Sequence, residues 1–286
     1  MLNVKCIFVS DIHGKIKRYD SLFKFIQKQQ PDGVFFGGDL LPHSHPNDDS
    51  LETFISQHLF SKIQRINAAV KKPVRFFLIL GNDDPRIYED VFLNADSNNI
   101  ITYVHNKTVS FGDFFVTGYS YVPPTPFQLK DWERYDVSRH LDVGAVSPES
   151  GYRTIYLPMD DIRYTTISED LDRLSQNAPA NRTIFLFHSP PYQSDLDRAA
   201  LDGTMIDHAP LDVHVGSIAI QRFIKKKQPF LTLHGHVHES ARLTGKWRQR
   251  FGRTYAFSAA HDGPELAVIR FDTDDLSKAS KELIDL

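Results

Sequence analysis

Five short apolar runs constrain this chain more than any other feature, because each stops at side chains that bind metals or move protons. "VKCIFVSDIH" ends in Asp11 and His13, "GVFFGGD" in Asp39, and "VRFFLILGND" in Asn82 and its neighbouring acids. "TIFLFH" ends in His188, and "FLTLHGHVH" in His234, His236 and His238. Each run is rich in Val, Ile, Leu and Phe and four to seven residues long, as a strand buried on both faces should be. Helical patterns separate them. Leu22, Phe23, Phe25 and Ile26 form an apolar face before Pro31, and Leu51, Phe54, Ile55, Leu59, Ile63, Ile66 and Val70 form another over 51–70. Residues 85–95 and 216–227 read the same way. Strand–helix alternation implies parallel strands with helical crossovers. Such sheets bind ligands beyond the carboxyl ends of their strands, so the five polar ends are expected at one edge of the sheet.

After Asn98 the texture changes. "IITYVH", "TVSF" and "DFFVTGYS", and later "TYAFSAA" and "ELAVIRF", predict shorter strands in a more antiparallel setting. A two-sheet core with helices outside accommodates both halves. Residues 119–165 are aromatic- and proline-rich without periodicity and are expected to be an insertion over the rim. Leu276, Ala279, Leu283 and Ile284 predict a short amphipathic helical tail. The reading is one domain over 1–286.

Composition narrows the function classes. A chain of 286 residues with 41% hydrophobic and 24% charged residues is ordinary for a globular protein with a large core. A net charge of -3 gives no nucleic-acid signal, and "VKKPVR" and "IKKKQP" read as solvated helix ends. Cys6 is the only cysteine, so no internal disulfide forms. The N-terminus meets Asp11 after a short apolar run with no small-residue cleavage site, and no run is long enough to cross a bilayer. A cytoplasmic location without membrane partners is the expectation; oligomeric state is left open.

Residues two apart on an extended segment point the same way, so Asp11 and His13 face one ion together, and so do His236 and His238. Clustered imidazoles and carboxylates at buried strand ends would destabilise the fold unless something compensated them. Two metal ions do this without crowding the ligands. Asp83 and Asp84 pose the same problem more sharply. Alone, "NDDP" is turn chemistry. Beside two dications, adjacent carboxylates are compensated.

The ordered set Asp-x-His, Gly-Gly-Asp, Gly-Asn-x-Asp, strand-end His and Gly-His-x-His, from Asp11 to His238, resembles the calcineurin-like metallophosphoesterases. The resemblance implies an α/β fold, a four-layer αββα sandwich of two mixed β-sheets flanked by helices. It implies a dinuclear site. Asp11, His13 and His238 would hold one ion, and Asn82, His188 and His236 the other, with Asp39 bridging them. A hydroxide between the ions would be the nucleophile. Mixed N/O ligands suit Mn, Fe, Zn or Co, with manganese taken first. The implied activity is phosphate-ester hydrolysis, of a phosphodiester in the first instance, on a small substrate such as a nucleotide. A degenerate member acting as a protein-interaction module is the alternative. Loss of Asp11, Asp39 or the Gly-His-x-His histidines would favour it, and none is lost.

Three residues complete the candidate catalytic set. Asp83 occupies the slot where many such sequences carry a histidine thought to protonate the leaving group. Next to dications its pKa is driven down, making it a poor acid and predicting a preference for good leaving groups. Asp84 is read as orienting a ligand or the slot beside it. His208, with His214, lies in a polar loop and faces either substrate or solvent. His234 is read as a packing or ligand-orienting residue. His261 stands where related sequences often carry Asn-Pro-Gly. Gly38, Gly81 and Gly235 precede ligands, where backbone must turn and approach the ions.

Overall fold

Alternate residues of each apolar run feed two different cores. The computed structural model describes residues 4–43 and 50–286; residues 1–3 and 44–49, which the one-domain reading includes, lie outside the described residues. The strands are β1 (Lys5–Val9), β2 (Gly33–Gly37), β3 (Arg75–Ile79), β4 (Thr102–Tyr103), β5 (Thr108–Phe111), β6 (Phe114–Tyr119) and β7 (Thr183–Phe187). They continue as β8 (Met205–Ile206), β9 (Ala209–Pro210), β10 (Leu231–His234), β11 (Arg248–Phe251), β12 (Thr254–Ser258), β13 (Leu266–Asp272) and β14 (Ser280–Ile284). One six-stranded sheet has the order β14-β13-β1-β2-β3-β4 and the other β11-β12-β10-β7-β6-β5. In the first, β1 to β4 are parallel, β13 runs antiparallel to β1, and β14 runs antiparallel to β13. In the second, β6, β7, β10 and β12 are parallel, with β5 and β11 antiparallel at the edges. β8 and β9 form a separate hairpin.

Cys6, Phe8, Phe35 and Phe77 of the first sheet share one apolar core with Ile184, Leu186 and Leu233 of the second, so this core lies between the sheets. Their neighbours Ile7, Val9, Val34, Phe36 and Leu78 pack instead with Leu22, Ile26 and Ile63 of the helices. Each fully buried side chain of this size contributes roughly 1.5–3 kcal/mol, so a slip of one residue in any of these strands would forfeit far more than a loop contact returns. Helices Ile16–Gln29 and Ile218–Lys227 and the continuous helical stretch built from Ser50–Phe54, Ile55–Phe60 and Ser61–Ala69 supply the outer layers. The middle piece of that stretch is a π-helix, which the 51–70 pattern does not reveal. Two mixed sheets flanked by helices agree with the expected fold.

Two expectations need correction. The five polar strand ends do not share one sheet: β1, β2 and β3 lie in the first sheet, β7 and β10 in the second. The C-terminal tail is not helical. Leu276–Lys278 makes a single 3-10 turn, and Ser280–Ile284 pairs antiparallel with β13. Pairing satisfies the open backbone edge of β13, and Leu276 and Ala279 drop into the inter-sheet core. A weak helical period cannot compete with both. Residues 120–158 form no regular helix or strand, yet Lys130, Asp131, Trp132 and Glu133 within them are buried.

Candidate metal centre

The loops after β1, β2 and β10 are held in unusual backbone conformations. Asp11, His13, Asp39 and His236 all have positive φ, at 57°, 49°, 52° and 74°. Non-glycine residues there cost of order 1–3 kcal/mol each and persist only where surroundings over-determine them. Here hydrogen bonds do so. Asp11 N donates to Gly38 O (3.0 Å), His13 N to Asp39 O (2.9 Å) and Gly235 N to His188 O (2.9 Å). The buried Arg18 guanidinium donates to Asp11 O at 3.0 Å and also to Gly263 O. Two glycines are sterically required. A Cβ at Gly81 would collide with Asp39 Oδ1, and one at Gly235 would collide with Ser10 Oγ and lie 2.7 Å from Asp11 Oδ2.

Together with the ends of β3 and β7, these loops bring together every residue of the expected ligand set. Asp11, His13, Asp39 and His238 form one group with ligand atoms within 4.8 Å of one another, and Asp39, His188 and His236 form another. Asp39 is common to both. Its Oδ2 lies 3.2 Å from His188 Nε2 and 4.0 Å from His13 Nε2. Asn82 Oδ1 is 3.0 Å from His188 Nε2. His188 Nδ1 donates to Gly37 O at 2.7 Å, which aims Nε2 into the group. The arrangement fits cations. His13 Nε2 and His238 Nε2 are only 3.1 Å apart, and Asp11 Oδ2 is buried without a hydrogen-bond partner. Converging imidazole nitrogens beside an orphaned carboxylate oxygen form a donor set suited to divalent transition metals.

Without ions the same residues compensate one another by sharing protons. Burial disfavours the charged form of His188, but Asp39 overcomes it and raises the imidazole to about 10. His238, likewise opposed by burial, is raised by Asp11 to about 9. Burial would raise both carboxyls; instead His238 lowers Asp11 to about 2, and His188 holds Asp39 well below the carboxylate range. Burial and then the neighbouring His188 push His236 down to about 3.

The two adjacent acids have distinct surroundings. Asp84 is fully buried, and its two oxygens accept from Leu40 N, Leu41 N and Gly81 N at 2.8–3.1 Å. It thereby joins the loop after β2 to the loop after β3, while Trp132 Nε1 donates to its carbonyl at 2.8 Å. Both oxygens are used, so Asp84→Asn must turn an amide N–H₂ toward backbone donors. A loss of about 2–4 kcal/mol is expected by urea denaturation of the metal-free protein; an unchanged midpoint would count against this bracing role. Asp83 N donates to Asp39 Oδ1 (2.9 Å), and Asp83 Oδ1 accepts from Asn82 Nδ2 (3.0 Å). Its Oδ2 is 3.7 Å from His13 Nδ1 and 4.0 Å from His43 Nε2. Burial, then Asp39, raises Asp83 to about 6 in the absence of ions, opposite to the lowering expected beside dications.

The remaining histidines divide clearly. His234 is buried, with Nδ1 on Ser189 O (2.9 Å) and Nε2 on Thr232 Oγ1 (2.8 Å), consistent with packing. His261 pairs with Glu265 at 2.9 Å. His208 sits exposed at the turn between β8 and β9, and no hydrogen bond, ion pair or ring contact links it to the centre among the described residues. Sequence reasoning missed His43, which stacks on His13 at 5.1 Å, and Arg18. His43 lies four residues beyond Asp39 in an irregular stretch, where no periodicity could mark it. Arg18 reads as the polar side of an amphipathic helix.

Residues 4–240 match the family model described as calcineurin-like phosphoesterase. No curated protein sequence matches the chain. One solved crystal structure is similar with a TM-score of 0.62 at 16% identity, covering 99% of this chain and 100% of that one. The TT1561 protein of Thermus thermophilus is similar with a TM-score of 0.59 at 14% identity, again covering 99% and 100%. At these identities the likeness is one of fold. No helix among the described residues is long and apolar enough to cross a membrane.

Proposed function

The chain belongs to the calcineurin-like phosphoesterase family, and from that premise we propose that it is a metal-dependent hydrolase of small phosphate esters, phosphodiesters first among them. The observation that carries this reading is the sharing of Asp39 by two adjacent ligand groups. Asp11, His13 and His238 would hold one ion, Asn82, His188 and His236 the other, and Asp39 both. When bound, such ions supply Lewis-acid charge and bring the pKa of water toward neutrality.

The protein's part is to fix that constellation. Asp83 holds the Asn82 amide so that Oδ1 faces His188, and braces Asp39 through its own N–H. We assign Asp83 this orienting role in preference to proton donation, and Asp84 the bracing of two loops. His208, exposed on its hairpin, would meet only the outer part of a substrate. Manganese-loaded protein is expected to hydrolyse bis(p-nitrophenyl) phosphate, with activity lost on chelation and restored by manganese. Absence of turnover with two ions bound per chain would overturn the reading.

A further inference from the structure

Residues 189–217 join β7 to helix Ile218–Lys227, and at their centre is a carboxylate with no access to solvent. Asp197 accepts from the backbone N–H of Gln193 (3.0 Å), Ser194 (2.9 Å) and Gly216 (3.1 Å). The ring of His214 adds Nδ1 at 2.8 Å. A buried carboxylate on Nδ1 fixes the imidazole tautomer and stabilises the imidazolium, leaving Nε2 to exchange protons with a reactant. Here the His214 side chain is 29% exposed, and Nε2 has no hydrogen bond among the described residues.

The loop's fastenings locate this pair. Ser217 N donates to Pro190 O (2.8 Å) and Tyr192 N to Ser217 O (3.0 Å), closing the loop two residues beyond His188. On its other side Ala200 N donates to Glu239 Oε1 (3.0 Å) and Arg198 N to Ser240 Oγ (3.2 Å), immediately after His238. Arg198 is the bridge partner of His214. The pair is therefore tied to both strand ends that carry His188, His236 and His238. The charged or titratable groups facing His214 are Asp197, Arg198, Asp212, which accepts its N–H at 2.8 Å, and Tyr192, whose ring is 6.1 Å away.

We propose that His214, positioned by Asp197, protonates the leaving group. This rests on the phosphoesterase reading above and supplies a donor in place of Asp83, whose assigned role is to orient Asn82 and Asp39. Water adds to phosphorus and gives up one proton to solvent. The bond from phosphorus to the leaving oxygen breaks with its electron pair on that oxygen, and the Nε2 proton moves to it. The neutral imidazole then recovers a proton from solvent.

The test is a series of phosphodiesters graded in leaving-group acidity, from p-nitrophenyl to ethyl, on manganese-loaded wild type, H214Q, H214N and D197N. For H214Q and H214N we expect a loss of about 10²–10⁴-fold on the ethyl ester and about 3-fold or less on the p-nitrophenyl ester. The alkaline limb of the kcat/KM profile on the ethyl ester should disappear, with metal content and Tm as in wild type. D197N should show the same selectivity in milder form; if it unfolds, the two His214 variants carry the test. Equal loss across the series overturns this proposal alone. Failure of the wild type on every ester, with both ions bound, overturns the functional reading and this proposal with it.

Discussion

Asp39→Asn is expected to leave a folded protein that holds fewer than two ions per chain and has lost on the order of 10³-fold or more in metal-dependent turnover. The side chain is almost completely buried and is the single member common to both ligand groups. Its two oxygens are already divided between duties, Oδ1 accepting from Asp83 N and Oδ2 facing His188 and His13. An amide keeps the shape but removes the negative charge and one of the two acceptors, so it can serve one ion at most. The ion-free variant should also be less stable, because His188 would be left protonated and buried without its partner, or neutral without its pairing energy. Metal analysis by mass spectrometry together with turnover of the diester checks this. Two tightly held ions with near-wild-type activity would remove Asp39 from the centre.

The second large effect is a reversal of pH dependence when ions are removed. In the ion-free protein Asp39 raises His188 to about 10 and Asp11 raises His238 to about 9, above an ordinary imidazole value of 6.5. Such groups stabilise the fold fully below about 6.5 and lose that contribution as pH rises through about 9 to 10. The His188–Asp39 pair alone sets a ceiling of roughly 3–5 kcal/mol. With ions the sign inverts. His188 and His238 must give up those protons to act as ligands, so protons compete with metal and affinity climbs with pH. Chelated protein should therefore lose Tm between pH 7 and 10. The gap between loaded and chelated protein should widen over the same range, and apparent metal affinity should rise about tenfold or more per unit between pH 6 and 8. Parallel Tm profiles for the two forms would mean that these histidines do not carry the protons.

Much of this was legible because strand and ligand are encoded side by side. In "GVFFGGD" the apolar run, the turn glycine and the carboxylate are contiguous, and in "TIFLFH" and "FLTLHGHVH" the apolar run likewise passes directly into its histidines. Local pattern therefore reveals both the element and its polar end. What was not legible depends on partners distant in sequence. Nothing near Ser280 announces that β13 lacks a neighbour, so its edge pairing overrides a faint helical period. Assignment of β1, β2 and β3 to one sheet and β7 and β10 to another is a choice among pairings that their similar composition does not encode. His214 stood between rim and solvent because its meaning lies in Asp197, 17 positions away and unmarked by any motif. Asp83 was visible, but its use was not, since that depends on where the Asn82 amide and the Asp39 carboxylate come to rest.

The division of the centre between two sheets carries a consequence of its own. Asp11, His13, Asp39 and Asn82 follow strands of one sheet, so that half is mostly oxygen; His188, His236 and His238 follow strands of the other, so that half is all imidazole. Neither half alone offers either complete ligand group, since one group needs His238 and the other His188 and His236 beside Asp39. An ion that gathered donors from both would work as a removable rivet across the Phe-rich seam, and its capture would report that the two halves of the sandwich have come into register. Metal so held would be a gauge of assembly as well as an instrument of chemistry.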